Sequence, residues 1–352
     1  SNWIGMARIE SCNFGQICKV SSPFCIENSF SATYNSRQTD SWQEREGGLL
    51  VKYRYQLGKK HYETAQTTTA AILLLPTLIA LTFLFLIPVV RLFSLSLTST
   101  NTITNQSTYI GLKNYAYLLK NAMFQKAFSN TLFFTVTKLA LEIVISLVLA
   151  VMLDMYIPWR KFLRISYFLP VIVPVVASSI IWMWLYDPAI GPLNQLLRFL
   201  GLPTSNYIYA ESSALMSIVA FAVWRGIGYD IIIFISGLQG ISDSVVEAAR
   251  IDGANERQIF RHVKLPLLSP IVMFVVMMGM IGCFQAFTEV DIMTGGGPNN
   301  STMLMANYIY TQAFGNAKMG RGAAASVLLF AVIFLLTLVQ KVMSDRKERS
   351  DA

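Results

Sequence analysis

The 352-residue chain is 54% hydrophobic, only 14% charged, and has a mean hydropathy of +0.48. Soluble domains usually carry about 25% charged residues, so this composition excludes an ordinary water-soluble globule and points to the membrane. The net charge of +8 is better explained by cationic loops at a membrane surface than by a nucleic-acid partner.

Residues 1–48 show no sustained hydrophobic period and no charged start followed by an apolar run, so they do not read as a signal peptide. Cys12, Cys18 and Cys25 fall here at a spacing that fits no common zinc pattern, and thiols on a cytoplasmic tail stay reduced. The stretch is expected to be a disordered or expression-derived extension. Residues 49–69 are expected to form a cytoplasmic segment, 70–342 a transmembrane domain, and 343–352 a cytoplasmic tail.

Six segments can cross roughly 30 Å of hydrocarbon. They run over about Ala70–Val90, Ser129–Leu153, Leu163–Tyr186, Ala214–Leu238, Leu267–Thr288 and Gly322–Val339. The third contains Pro170 and Pro174, which neighbouring helices can accommodate. Lys138 and Glu142 sit one helical turn apart in the second span and read as an intrahelical pair that lowers the cost of burial. The fourth contains "VWRGIGYD", with Arg225 near its middle and Trp224, Tyr229 and Asp230 around it. Aromatic faces can pack against sugar rings and side-chain donors can meet hydroxyls; in the other reading Arg225 snorkels or pairs with Asp230 structurally. Cys283, in the fifth span, reads as a small apolar residue.

Orientation is read from the basic residues. Lys52, Arg54, Lys59 and Lys60 precede the first span, Arg160, Lys161 and Arg164 precede the third, Arg250, Arg257, Arg261 and Lys264 precede the fifth, and Lys341, Arg346, Lys347 and Arg349 follow the sixth. The other three connections share only Arg91, Lys113, Lys120, Lys126, Arg198, Lys318 and Arg321. The positive-inside rule therefore predicts an all-α membrane protein with six transmembrane helices and both termini cytoplasmic.

Between the fourth and fifth spans lies "EAARIDGANERQIFRHVKLPLLSP", Glu247–Pro270. Ser242 or Asp243 can cap a short helix whose apolar side is Val245, Val246, Ala249 and Ile251. Gly253 can end it in the left-handed conformation. A second short helix follows, and Pro266 is expected to open the next span, where its missing donor costs little. Spacing alone leaves two readings of this hairpin open: a connector lying on lipid, or a docking element.

The stretch resembles the EAA loop of permease subunits of binding-protein-dependent ABC importers: Glu247-Ala248-Ala249, Gly253, then Val263-Lys264-Leu265-Pro266, with Val in place of the family's Ile. "DPAIGPLNQLLRFLG" (Asp187–Gly201) and the segment Thr294–Ser326 are similar to the carbohydrate-importer (MalF/UgpA-like) branch. The resemblance implies that the hairpin is a coupling helix docking on an ATPase subunit, with Glu247, Ala248, Ala249, Asp252, Gly253, Leu265 and Pro266 at the contact. It implies a heterodimer with a second homologous permease subunit, two copies of an ATPase binding ATP and Mg, and a solute-binding protein that delivers a carbohydrate. The chain has no G-x-x-x-x-G-K-[ST] phosphate cradle of its own, so it is expected to be a transport subunit, not an enzyme. It also implies a bacterial inner-membrane location and a substrate path through Trp224, Arg225, Gly226, Tyr229, Gly279, Cys283 and Ala286, with Phe284, Gln285 and Phe287 as local alternatives. Arg225 and the basic charge tilt the expected cargo, a di- or oligosaccharide, towards an acidic one. Gly295–Gly297 with Pro298 is expected to be a flexible outer loop, and Ser301–Gly320 an amphipathic helix. Two other classes were weighed. A secondary transporter or channel usually shows internal repeats, and none is evident. A membrane enzyme would have to work with His61 and His262 alone, which form no metal or catalytic cluster.

Overall fold

A computed structural model describes residues 70–101, 106–154 and 160–351. The extension over 1–48, its cysteines and the 49–69 segment lie outside them. The chain divides into Ser1–Pro76, whose described part is the opening of the first helix, and Thr77–Ala352. The architecture below is that of the second unit.

Helix α1, Ala70–Ser96, is followed by a hairpin of β1 (Thr98–Asn101) and β2 (Gln106–Tyr109), antiparallel with Thr98 opposite Tyr109, and by α2, Lys113–Lys120. Then come α3 (Ala122–Asp154), α4 (Arg160–Ile172), α5 (Val175–Leu185), α6 (Pro192–Phe199) and α7 (Glu211–Gln239). The hairpin region holds α8 (Asp243–Ile251) and α9 (Glu256–Leu267), and the apolar α10 (Ser269–Phe284) follows. Short α11 (Thr288–Met293) and α12 (Met305–Tyr310) lead to α13, Met319–Asp351.

Among the described residues, α1, α3, α7 and the Met319–Ser344 part of α13 are each long and apolar enough to cross a bilayer, and two bent pairs raise the number to as many as six. The third expected span is one of these pairs: it breaks between Ile172 and Val175 with a bend of 108°. The cause is Pro174, which disfavours helical backbone at Val173 and holds ψ 134° itself. The fifth is the other: α9 and α10 meet at 61°. Here the structure corrects the expected opening. Pro270, not Pro266, lies in the first turn of the apolar helix. That helix also stops at Phe284, short of the expected Thr288.

Helix α7 is the centre of the unit. Half of its apolar window is buried, against none for α1. Small side chains along it (Ala214, Ser217, Ala222) and its glycines let neighbouring backbones come close, which is how helices associate without a hydrophobic drive in lipid. Phe234, Ile231 and Leu238 of α7 pack with Ala150 and Leu153 of α3 and Val275 of α10. A second core joins Phe134 of α3 to Phe221 of α7, Cys283 of α10 and Leu304. A third joins Leu118, Phe124 and Tyr308 to Ala324 and Ala325 of α13. The apolar faces left exposed, such as Phe83, Leu84 and Phe85 of α1, suit lipid or a partner subunit.

The residues that follow Gly295–Pro298 are tied to α3 by hydrogen bonds. Lys126 Nζ donates to Asn299 O at 2.6 Å, Asn130 Nδ2 to the carbonyls of Asn300 and Met303, and the Met305 amide to Thr131 Oγ1 at 2.9 Å. Residues Ser301–Met305 are buried. The expected amphipathic helix over Ser301–Gly320 is accordingly only α12 and the π turn Thr311–Gly315, because the preceding residues fill the core instead.

Candidate functional site

The hairpin α8–α9 satisfies its own backbone. Gly253 adopts φ +84°, and its amide donates to Arg250 O while the Ala254 amide reaches Ala249 O, both at 3.0 Å. This double closure is the Schellman motif, and it needs a residue tolerant of the left-handed region. Two residues later a capping box opens α9: the Gln258 amide donates to Asn255 Oδ1 at 3.0 Å, and the Asn255 amide to Gln258 Oε1 at 2.9 Å. The N-x-x-Q signature was present in the sequence and could have located it. Ser242 does stand at the N-cap of α8, but its hydroxyl meets Ser244 Oγ at 2.7 Å instead of a backbone amide. Arg250 grips Glu256 at 2.9 Å across the turn.

Only part of the expected apolar side of α8 turns inward. Val246 is buried and Ala249 half-buried. Val245 is 44% and Ile251 86% exposed. With exposed Ala248 they recur every three residues and so share one outward face. Glu247, Asp252, Gly253 and Pro266 are exposed and Leu265 half-buried. Glu247 and Arg250 also border a cavity of about 420 Å³ with Asp154, Asp243 and Lys264. Lys264 Nζ stands 3.9 Å from Asp154 Oδ2, tying the hairpin to the end of α3.

The second polar region is buried. Lys138 Nζ donates to Glu142 Oε2 at 2.6 Å, with side chains only 16% and 5% exposed. Gly226 of α7 faces that carboxylate: a Cβ at its position would fall 1.6 Å from Glu142 Oε1. Asp230, also buried, lies in electrostatic range of both Lys138 and Glu142. The pairing of Arg225 with Asp230 is not realised: no ion pair joins them among the described residues, and Arg225 Nε is buried without a hydrogen-bond partner there. Gly279 of α10 lies against Leu139.

The remaining path candidates separate into two groups. Trp224 joins an aromatic cluster, 5.2 Å from Trp182 and 6.2 Å from Phe221, which continues through Tyr186 to Tyr207 stacked at 4.8 Å. The partners of Trp224 come from α5, α7 and the loop before α7, so no single stretch signals the cluster. Tyr229 is 52% exposed. At the end of α10, Cys283 and Phe284 are buried at 1% exposure each, as is Ala286 at 8%, while Gln285 is exposed. Phe287 (φ −137°, ψ −58°) interrupts the helical path there and packs on Tyr310, which packs on Phe314, each at 5.2 Å.

The profile of the family described as "Binding-protein-dependent transport system inner membrane component" matches residues 142–349. The "Probable ABC transporter permease protein YurN" of Bacillus subtilis is 32% identical over 271 residues, covering 76% of this chain and 92% of its own. The "Multiple sugar-binding transport system permease protein MsmF" of Streptococcus mutans is 31% identical, covering 78% and 94%. The "sn-glycerol-3-phosphate transport system permease protein UgpA" of Yersinia pestis is 30% identical, covering 79% and 94%. Among solved structures, a chain of a bacterial alginate ABC transporter, crystallised with an alginate pentasaccharide-bound periplasmic protein, superposes with a TM-score of 0.72. It covers 80% of this chain and 95% of its own at 20% identity, a likeness of fold.

Proposed function

This chain belongs to the binding-protein-dependent transport system inner membrane component family, and from that premise we propose that it is one permease subunit of an ATP-driven carbohydrate importer. In this reading six spans, two of them bent, place both termini in the cytoplasm. A second permease subunit completes the pathway, and an ATPase pair that binds ATP and Mg takes up the hairpins. A solute-binding protein delivers the sugar. The domain reading stands with it: 70–342 is the transmembrane body, 239–266 the coupling loop and 343–352 a cytoplasmic tail.

The observation that carries the proposal is the exposed face Val245–Ala248–Ile251 beside Glu247. Apolar side chains on a charged, self-capped helix have no use within this chain, and they suit insertion into a partner's cleft. Asp252, Gly253, Leu265 and Pro266 shape the rest of the contact. Binding and hydrolysis of ATP in the partner would displace the hairpin as a rigid body and shift α7 and α10, between which it is strung.

For the cargo, the relative named for multiple sugars supports a carbohydrate, which we read as a di- or oligosaccharide. Half-buried Arg225 would meet a hydroxyl or carboxylate with its guanidinium, and its positive charge tilts the cargo towards an acidic sugar. Trp224, Gly226 and Tyr229 would surround it, and Gln285 and Phe287 would approach from the end of α10. The buried Cys283, Phe284 and Ala286, with half-buried Gly279, would shape the wall rather than touch the sugar.

Glu247→Lys tests the docking. The residue is exposed, so the variant is expected to insert and fold normally. Co-purification of the ATPase and sugar uptake are both expected to fall about tenfold, the equivalent of one lost contact of about 1.4 kcal/mol. Unchanged uptake would remove the coupling role. A ligand screen on the cognate binding protein checks the cargo: binding of neutral sugars only would exclude the acidic one.

A further inference from the structure

We propose that the chain holds a phosphate-recognising pocket for the headgroup of an anionic phospholipid, built where the end of α1, the β-hairpin, α2 and the start of α13 meet. The pocket encloses about 150 Å³, and three cations line it: Lys113 of α2, Lys318 just before α13, and Arg321 in its first turn. Ser99, Asn114 and Tyr117 supply the other polar groups, and no acidic side chain lines it. None of the three cations forms an ion pair with a described residue. Three like charges around one small pocket, with no acidic side chain among its lining, make it a region of positive potential that attracts an anion.

The pocket is built, not a chance meeting of mobile side chains. Asn114 Nδ2 donates to Ser96 O at 2.8 Å and to Thr98 O at 2.9 Å, which fixes α2 against the end of α1. The Arg321 guanidinium stands 3.8 Å from the centre of the Tyr117 ring, an arrangement that orients its remaining donors. The N-terminal end of the 33-residue α13 forms one wall, and its dipole adds to the positive potential.

Depth selects the ligand. The apolar run of α1 ends at Ser96 and that of α13 begins at Met319. The pocket therefore lies at a boundary of the hydrocarbon, at the level of lipid phosphates. Exposed Tyr109 (76%) and Leu112 (70%) flank it on the β2–α2 connection; such amphipathic and apolar side chains settle at the headgroup boundary. Lysine stems can lie along apolar surface while their heads reach the phosphate. With both termini cytoplasmic, as in the proposed function, this is the outer boundary, and clustered Lys and Arg can attract an anionic headgroup there by the same electrostatics that act at the cytoplasmic face.

The test uses the intact transport complex. Native mass spectrometry would count phosphatidylglycerol or acyl-matched phosphatidylcholine retained by wild type and by Lys113→Gln/Lys318→Gln. Both lysines are exposed, and a melting curve checks that the variant folds. Wild type is expected to prefer phosphatidylglycerol. The double variant should lose that preference about tenfold, and Lys113→Arg/Lys318→Arg should restore it. Excess inorganic phosphate should leave the lipid in place. Equal retention of the two lipids by wild type overturns the proposal. So does binding of free phosphate without a lipid preference, which would assign the pocket to a soluble anion. A double variant that keeps its lipid but loses stimulation by the binding protein would overturn it too, making the patch a protein-docking surface.

Discussion

The α8–α9 hairpin and the buried cluster of α3 and α7 both place charge in an apolar chain, and they solve the problem in opposite ways. The hairpin caps its own helices locally: the Gly253 closure, the Asn255–Gln258 box and the Arg250–Glu256 pair all join residues within one short stretch. Its charges stay in water, so each interaction is weak and replaceable. The cluster pairs Lys138 with Glu142 out of water and seals the pair with Gly226 from a helix distant in sequence. Each piece of it is costly to remove. A surface that docks and releases a partner suits the first design; a fulcrum that must hold its shape while helices move suits the second.

Perturbing the cluster should produce the larger effects. Lys138→Ala leaves the Glu142 carboxylate buried without its partner and should cost about 3–5 kcal/mol, read as loss of folded protein in a denaturant titration. Replacing both residues with apolar ones should recover most of that loss. If Lys138→Ala alone is harmless, the pair is hydrated and the contrast between the regions collapses.

Two glycine-to-alanine changes sharpen the comparison. Gly226→Ala drives a methyl into the Glu142 carboxylate and should cost about 1–3 kcal/mol through overpacking. Gly253→Ala meets nothing within 4 Å, and its cost of about 1–2 kcal/mol is the left-handed backbone alone. Shortening Glu142 to Ala should relieve the first and leave the second untouched, as a double-mutant comparison of melting temperatures would show. Smallest is the Arg250–Glu256 bridge, with side chains 54% and 71% exposed. Its coupling energy from single and paired alanine variants should be about 0.2–1 kcal/mol and shrink with added salt.

Long apolar runs, the hairpin with its Gly253 stop and the EAA pattern could be read from the chain directly. Each depends on neighbours a few residues apart, so periodicity and spacing carry the information. The Asn255 box was equally local and was legible in principle. Where sequence reading went astray, tertiary contacts outweighed local preference. Val245 and Ile251 belong to an apolar pattern on α8, yet packing claims only Val246 and part of Ala249. An amphipathic helix was expected from Ser301, yet Ser301–Leu304 fill the core and α12 starts only at Met305.

The sequence by itself determined a polytopic helical protein with a polar helical hairpin, because burial in lipid and helix capping are written in short-range composition. Only the tertiary structure decided what meets Glu142, which rings surround Trp224, and that Lys113, Lys318 and Arg321 share one pocket. Those meetings join residues far apart along the chain, and no local period encodes the distance between helices.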